Sequence, residues 1–91
     1  MQFEFDADKK TINLRKHGID LHDAAYVFLD SCWLDAADER KDYGEEQRVV
    51  VGAVEDRLWV VVCTRRADAI RLISARKANE REKKRYHALH T

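Results

Sequence analysis

Between Leu58 and Ala78 the chain reads LWVVVCTRRADAIRLISARKA, and this stretch leaves little choice of local structure. A strongly apolar run from Leu58 to Cys63 gives way to a polar break at Arg65-Arg66-Ala67-Asp68. A second β-rich run, Ala69 to Ala75, ends at Arg76. Two such runs separated by a few turn-prone residues predict an antiparallel hairpin. Val60, Val61, Val62, Ile70 and Ile73 are β-branched and suit a pleated, packed surface. Arg65, Arg66, Arg71 and Arg76 flank or interrupt these strands. A guanidinium fixed on a sheet edge can grip phosphate through two parallel hydrogen bonds, and it stays charged at any physiological pH. Anion binding is the first expectation.

The remaining chain supplies elements to cover that hairpin. Gln2 to Phe5 alternates polar and apolar and reads as a short first strand. Asp6 or Asp8 is placed to cap a helix running to His17, and Gly18 suits its left-handed C-terminal turn. Asp20 caps a second helix, with Asp23 in a box-like position and Leu21, Ala24, Ala25 and Phe28 as its core stripe. Cys32 to Leu34 suits a short strand, and the polar, acidic Asp35 to Glu46 reads as a mobile loop. Gln47 to Val54 is a strand and Glu55-Asp56-Arg57 a turn. A last helix starts near an Asn79/Glu82 capping box and presents Ala78, Tyr86 and Leu89 on its thin apolar face. In the plain register, Val49, Val51, Val60, Val62, Arg71 and Ile73 share one sheet face. Arg48, Val50, Trp59, Val61, Cys63, Arg65, Ile70, Leu72 and Ser74 share the other. Both faces are largely apolar, and three helices are few to cover them, so exposed apolar patches are expected.

At 91 residues the chain is expected to form one domain, 1–91. No apolar run approaches the roughly 18 residues that span a bilayer, and the N-terminus lacks a signal-peptide core, so a cytoplasmic location is expected. Cys32 and Cys63 are too few and too far apart for a disulfide scaffold or a metal pair. The zero net charge hides a division: up to Gln47 there are six Lys/Arg against twelve Asp/Glu, and from Arg48 onward eleven against five. A basic C-terminal half suits a polyanion, while the acidic half limits loose binding.

A more specific pattern runs through both halves. Asp6-x-x-Lys9-x-x-x-Asn13-x-x-Lys16-His17-Gly18 is followed by Ala24/Ala25 and Val27-Phe28-x-Asp30. Gly44-Glu45-x-x-Arg48, Ile70-Arg71-x-Ile73-Ser74-Ala75-Arg76-x-Ala78, and Glu82 with Tyr86 complete it. In this order the segments resemble the BrnT toxin family over almost the whole chain. Phe5 departs from the pattern, since the family commonly carries Trp there, and His22 falls where relatives vary. The resemblance implies an α+β domain of RelE-like fold, with a mainly antiparallel sheet of about four to five strands, two N-terminal helices and one C-terminal helix. It also implies the toxin of a type II toxin–antitoxin pair, an endoribonuclease that inhibits translation. Its partner would be a BrnA-like antitoxin, which forms a hetero-oligomer with the toxin and alone contacts operator DNA.

Metal-independent RNA cleavage uses the substrate's 2′-OH as nucleophile. It needs a base, an acid for the 5′-oxygen, and cations around the phosphorane. His17 is the acid/base candidate, since an unperturbed imidazole titrates near neutrality. Arg65 and Arg76 are the phosphate-stabilising candidates because each ends an apolar strand. Lys16 joins them as a phosphate ligand or modulator of His17. In the plain register the two arginines lie up to roughly 20 Å apart by strand rise. Three alternatives stand open: the register is off, the substrate track crosses the sheet, or one arginine alone acts. Arg48, Arg71, Lys84 and Tyr86 are candidates for RNA binding, Tyr86 by stacking on a base. Each also has a structural reading: His17 as a helix-end residue, the arginines as partners of acids, Arg71 as an interface residue, Tyr86 as core. No HExxH, paired-Asp or Cys/His ligand spacing occurs, so neither metal nor cofactor is expected. A non-catalytic RNA- or protein-binding module of the same fold is the alternative. Direct DNA binding is the weaker third reading, because no helix-turn-helix with a basic recognition helix is evident.

Overall fold

The opening hairpin forms as the sequence predicts and becomes the middle of a mixed sheet. The computed structural model describes residues 2–30, 34–42 and 45–89, with backbone alone over 34–42 and 45–46. Its elements are β1 (Gln2–Phe5), α1 (Ala7–His17), α2 (Leu21–Ala24) running into a 3-10 helix (Ala25–Leu29), β2 (Leu34–Asp42), β3 (Glu45–Val54), β4 (Arg57–Arg66), β5 (Ala69–Lys77) and α3 (Glu80–Ala88). The strand order is β1-β5-β4-β3-β2. β2 to β5 form an antiparallel meander, whereas β1 lies parallel to β5 with Phe3 opposite Ile70. The sheet is therefore mixed rather than purely antiparallel.

Of Asp35 to Glu46, expected as a mobile loop, the described residues are instead strand: Asp35 to Asp42 lie in β2 and Glu45-Glu46 open β3, with Leu34 opposite Val51 and Ala36 opposite Val49. The polar composition that suggested a loop also suits an edge strand, where charge discourages pairing with another chain. The proposed Cys32–Leu34 strand survives as Leu34 at the start of β2; residues 31–33, Tyr43 and Gly44 lie outside the described residues.

Two tight turns join β3, β4 and β5. Val54 pairs with Arg57 and Arg66 with Ala69, leaving two-residue loops at Glu55-Asp56 and Ala67-Asp68. Glu55 at φ 58° and Ala67 at φ 50° occupy the left-handed region without being glycine. Their strain, about 1–2 kcal/mol each, is held by the pairing on both sides.

A bulge changes the phase of β5. Val62 pairs with Ser74 but Cys63 with Leu72, so Ile73 is the extra residue. Ser74 therefore shares the face of Val62, not that of Leu72 as the plain register expects, and Ala75 takes the inward place. Arg71, Ser74 and Arg76 consequently fall on one face. That face carries Val51 and Val60, which pack with Ala78 and Tyr86 of the α3 segment. On the opposite face Val50, Trp59, Val61, Cys63, Leu72 and Ala75 meet Ile19, Leu21, Ala24 and Val27.

The second helix is shorter than its pattern suggests. After Ala24 the chain tightens to 3-10, and Leu21, Ala24 and Val27, three residues apart, are all fully buried. Three residues per turn is the 3-10 period. This puts Val27, rather than Ala25 or Phe28, at the bottom of the stripe. α1 contributes almost no apolar burial: Ile12 and Leu14 are exposed and its one buried residue is Asn13. It is held by polar bonds instead. Asp6 caps it by accepting from the Asp8 and Lys9 amides, and Gly18, at φ 75°, closes it with a bond to the Leu14 carbonyl. α3 begins at the expected capping box, while Leu89, expected in its apolar face, is exposed.

Candidate nucleic-acid interface

The candidate site assembles where α1 and α3 meet the end of β5. β1 stops at Phe5, opposite Leu72, so beyond that point one edge of β5 has no strand partner among the described residues. The Asn13 side chain fills the place: its Oδ1 accepts from the Ala75 N–H at 3.0 Å and its Nδ2 donates to the Ile19 carbonyl at 3.0 Å. Asp6 lies beside Arg71 at the other end of α1, 3.8 Å away. The helix thus runs alongside β5 in the same direction. His17 follows Asn13 by one turn, about 6 Å of rise, which sets it level with Arg76 and Lys77. His17 is half-buried and Lys16 exposed.

Arg76 faces α3. Its Nη1 and Nη2 each donate to Glu82 at 2.8 Å, and Nη1 also donates to the Lys77 carbonyl at 3.3 Å. Glu82 is itself the third residue of the capping box and accepts from the Asn79 amide at 2.9 Å. The hydrogen-bonded Glu82 carboxylate raises the Arg76 pKa, and the same Arg76 hydrogen bonds hold the Glu82 carboxyl below the ordinary glutamate range. Both Nη atoms are engaged, and the side chain remains 44% exposed, so solvent and a phosphate can reach it.

The other sequence-selected residues are not all brought here. Arg65 pairs across to Ile70, five strand positions from the Val60 partner of Arg76. It therefore lies about 17 Å along the sheet and, sharing the side of Cys63, on the opposite face. One pocket holding both arginines is not formed. The bulge at Ile73 widens the separation by sending Arg76 to the α3 side. Arg48 pairs with Cys63 and shares the Arg65 side. Arg71 is half-buried beside Asp6, whose carboxyl is lowered chiefly by the Lys9 amide. Lys84 stands exposed on α3 with Arg81 and Arg85. Tyr86 is 9% exposed, and its hydroxyl donates to Asp30 Oδ2 at 2.5 Å. That position gives it packing contacts rather than an open ring for a base.

Three cationic or titratable residues that sequence reasoning left aside, Arg57, Lys77 and His87, line a groove together with Lys83, whose basic helix face was expected to attract RNA. The groove, of about 640 Å³, lies between α3 and the β3–β4 turn and is also lined by Tyr86, with Glu55 and Asp56 at its mouth. Lys77 directly follows Arg76, and Arg57 is the first residue after a tight turn. Both were legible as basic, but nothing in the sequence brings them against α3. Among the described residues, no group of three His, Cys, Asp or Glu side chains is arranged to hold a metal ion.

A family model described as "Ribonuclease toxin, BrnT, of type II toxin-antitoxin system" matches residues 5–82 of the 91. The chain belongs to the BrnT toxin family. No curated protein matches it. Membership makes the chain a ribonuclease toxin of a system whose second component is a protein antitoxin. The BrnT match reaches from Phe5 to Glu82 and so takes in Asn13, His17 and both members of the Arg76–Glu82 pair. Among the described residues, no helix is long and apolar enough to cross a membrane.

Proposed function

We propose that this BrnT-family chain, acting as one RelE-like domain in the cytoplasm, is a metal-independent endoribonuclease that cleaves cellular RNA and thereby stops translation. The substrate's 2′-OH attacks the adjacent phosphorus, giving a 2′,3′-cyclic phosphate and a free 5′-OH. His17 moves the proton, Arg76 and Lys16 neutralise the developing phosphorane charge, and the groove of Arg57, Lys77 and Lys83 with Lys84 beyond it guides the strand. The observation that carries this reading is the Asn13–Ala75 hydrogen bond, which sets the end of α1 level with Arg76. Arg65, Arg48 and Arg71 stand outside that end of the sheet and take no catalytic role in it. A BrnA-like antitoxin silences the chain and supplies the operator contacts.

A second reading, RNA binding without cleavage, has its own observation: Glu82 already occupies two donors of Arg76. Incubating the purified chain with RNA in EDTA separates the two. Fragments ending in 2′,3′-cyclic phosphate, lost in His17→Ala and Arg76→Ala variants that still fold, support cleavage. Intact RNA retained by the protein supports binding alone. Full cleavage by both variants removes the site assignment.

A further inference from the structure

The face remote from Arg76 carries a second surface. Phe3, Phe5, Tyr26, Phe28 and Leu29 line an apolar hollow of about 600 Å³ between β1 and the α2/3-10 segment. Tyr26 and Leu29 also line a neighbouring hollow of about 470 Å³ that reaches Val54 and Glu55. The two residues thus form a ridge between two depressions, with Leu29 77% and Tyr26 50% exposed. Single exposed apolar side chains are ordinary, but a contiguous aromatic and aliphatic patch marks a binding surface. The rings already stack inward: Phe3 and Phe28 are 5.5 Å apart and Phe5 and His22 5.8 Å apart. What remains open is the outer surface of the ridge.

The charges bordering this surface are acidic. Asp30 and Glu55 line the second hollow, and Asp23 stands exposed beside His22. The nearby cation, Lys10, lies over the Phe5 ring and pairs with Asp20 at 3.5 Å. Such a rim attracts a segment that combines apolar anchors with Lys or Arg.

We propose that this ridge is where the protein antitoxin anchors, through an amphipathic basic segment whose apolar side chains fill the two hollows beside Tyr26 and Leu29. The proposal rests on the reading that a protein antitoxin silences this chain, but not on which residues cut RNA. The anchor and the RNA groove adjoin at Ala53 and Glu55, which line both, whereas Leu29 lines only the two hollows. Antitoxin affinity and nuclease activity are therefore separable by mutation at Leu29.

The test uses the full chain and its purified cognate antitoxin. Leu29→Ala, Leu29→Glu and Leu29→Lys are compared by titration calorimetry, with thermal melts to establish folding and RNA cleavage measured on the free chain. Leu29 is exposed, so all three variants should melt like the parent and cleave RNA equally. Leu29→Ala should weaken the complex about tenfold, which is the 1.4 kcal/mol typical of a truncated anchor. Leu29→Lys should weaken it more than Leu29→Glu at low salt, because the partner segment is basic. Parental affinity in all three variants overturns the anchor. An order in which Glu is worse than Lys overturns the basic segment. A dimer of the chain alone that Leu29→Lys dissociates assigns the ridge to a second copy and also overturns the proposal. Absence of RNA cleavage in every sample, with the affinity losses intact, removes the nuclease reading and leaves the anchor standing.

Discussion

The Tyr86 hydroxyl and the Asp30 carboxylate meet at 2.5 Å around the edge of β3, tying α3 on one face of the sheet to the 3-10 helix on the other. The same Asp30 oxygen accepts from the Ala53 N–H at 2.9 Å, on β3 two residues beyond the Leu34–Val51 pair. Tyr86→Phe removes one bond to a charged acceptor and should cost about 1.5–3 kcal/mol. In a chain of this length each kcal/mol lowers Tm by about 4–8 °C. Asp30→Ala should cost more, since it also strands the Ala53 amide. The double variant should be less destabilised than the sum, which a double-mutant cycle by thermal melting reads directly. Additive losses would mean that the two side chains act independently.

Asn13 performs the corresponding service at the β5 edge, and it is only 4% exposed. Asn13→Ala leaves the Ala75 donor and the Ile19 carbonyl without their side-chain partner. It should cost about 2–4 kcal/mol, since each buried polar group left unpaired costs about 1–3. The variant should also lose RNA cleavage at temperatures where it remains folded, because α1 no longer has its fixed register against β5. Full activity in a folded Asn13→Ala protein would detach His17 from the mechanism.

How much of this was readable beforehand depended on whether the controlling interaction was local. Asp6 and Gly18 around α1, Asp20 before α2, and the Asn79/Glu82 box were legible because a cap involves residues a few positions apart. The β3–β4–β5 meander was legible from its apolar runs and short breaks. The bulge at Ile73 was not, since nothing in Ile70-Arg71-Leu72-Ile73-Ser74 distinguishes five paired residues from four plus one extra. That single residue decides which face Arg76 uses, so the site geometry inherited the error. The β2 strand was missed for a different reason: edge strands are selected for charge, and charge in a linear reading means loop. Phe3, Tyr26 and Leu29 could be read as apolar, but only the parallel docking of β1 shows that they adjoin.

The acid limb of stability should report the Arg76–Glu82 pair. Arg76 hydrogen bonds hold the Glu82 carboxyl below its ordinary range, so the folded state keeps it ionised where an unfolded chain begins to bind a proton. Its contribution is complete above the ordinary carboxylate range and is lost as pH falls through the lowered value. Asp6 and Asp20, lowered chiefly by the Lys9 and His22 amides, act in the same direction. Glu82→Gln can retain the capping box while removing the charge. It should cost about 0.2–1 kcal/mol at neutral pH and flatten, without abolishing, the fall in Tm below the carboxylate range. An unaltered acid limb would show that the pair does not contribute to stability.

The two strained turns offer the opposite sign. Glu55 and Ala67 sit at φ 58° and 50°, where glycine carries no side-chain penalty. Glu55→Gly and Ala67→Gly should each stabilise by about 0.5–1 kcal/mol, the relief of roughly 1–2 kcal/mol being partly offset by glycine's larger unfolded-state entropy. Denaturant midpoints measure the gain. A loss in both variants would place the left-handed strain elsewhere in the turns.

Salt dependence distinguishes which face RNA uses. Each cation that neutralises a phosphate of a single strand adds about 0.7 to the slope of log affinity against log salt. Lys84 is exposed on α3, whereas Lys83 already pairs with Glu80 at 3.3 Å. Lys84→Gln should therefore lower the slope by about 0.7 and weaken binding to every RNA sequence alike, while Lys83→Gln lowers it less. Arg65→Gln, on the opposite face, should leave the slope unchanged. Fluorescence anisotropy with a labelled single strand, from about 50 to about 200 mM salt, reads all three. A slope reduced by Arg65→Gln and untouched by Lys84→Gln would move the RNA track to the Arg48–Arg65 side, away from His17 and Arg76.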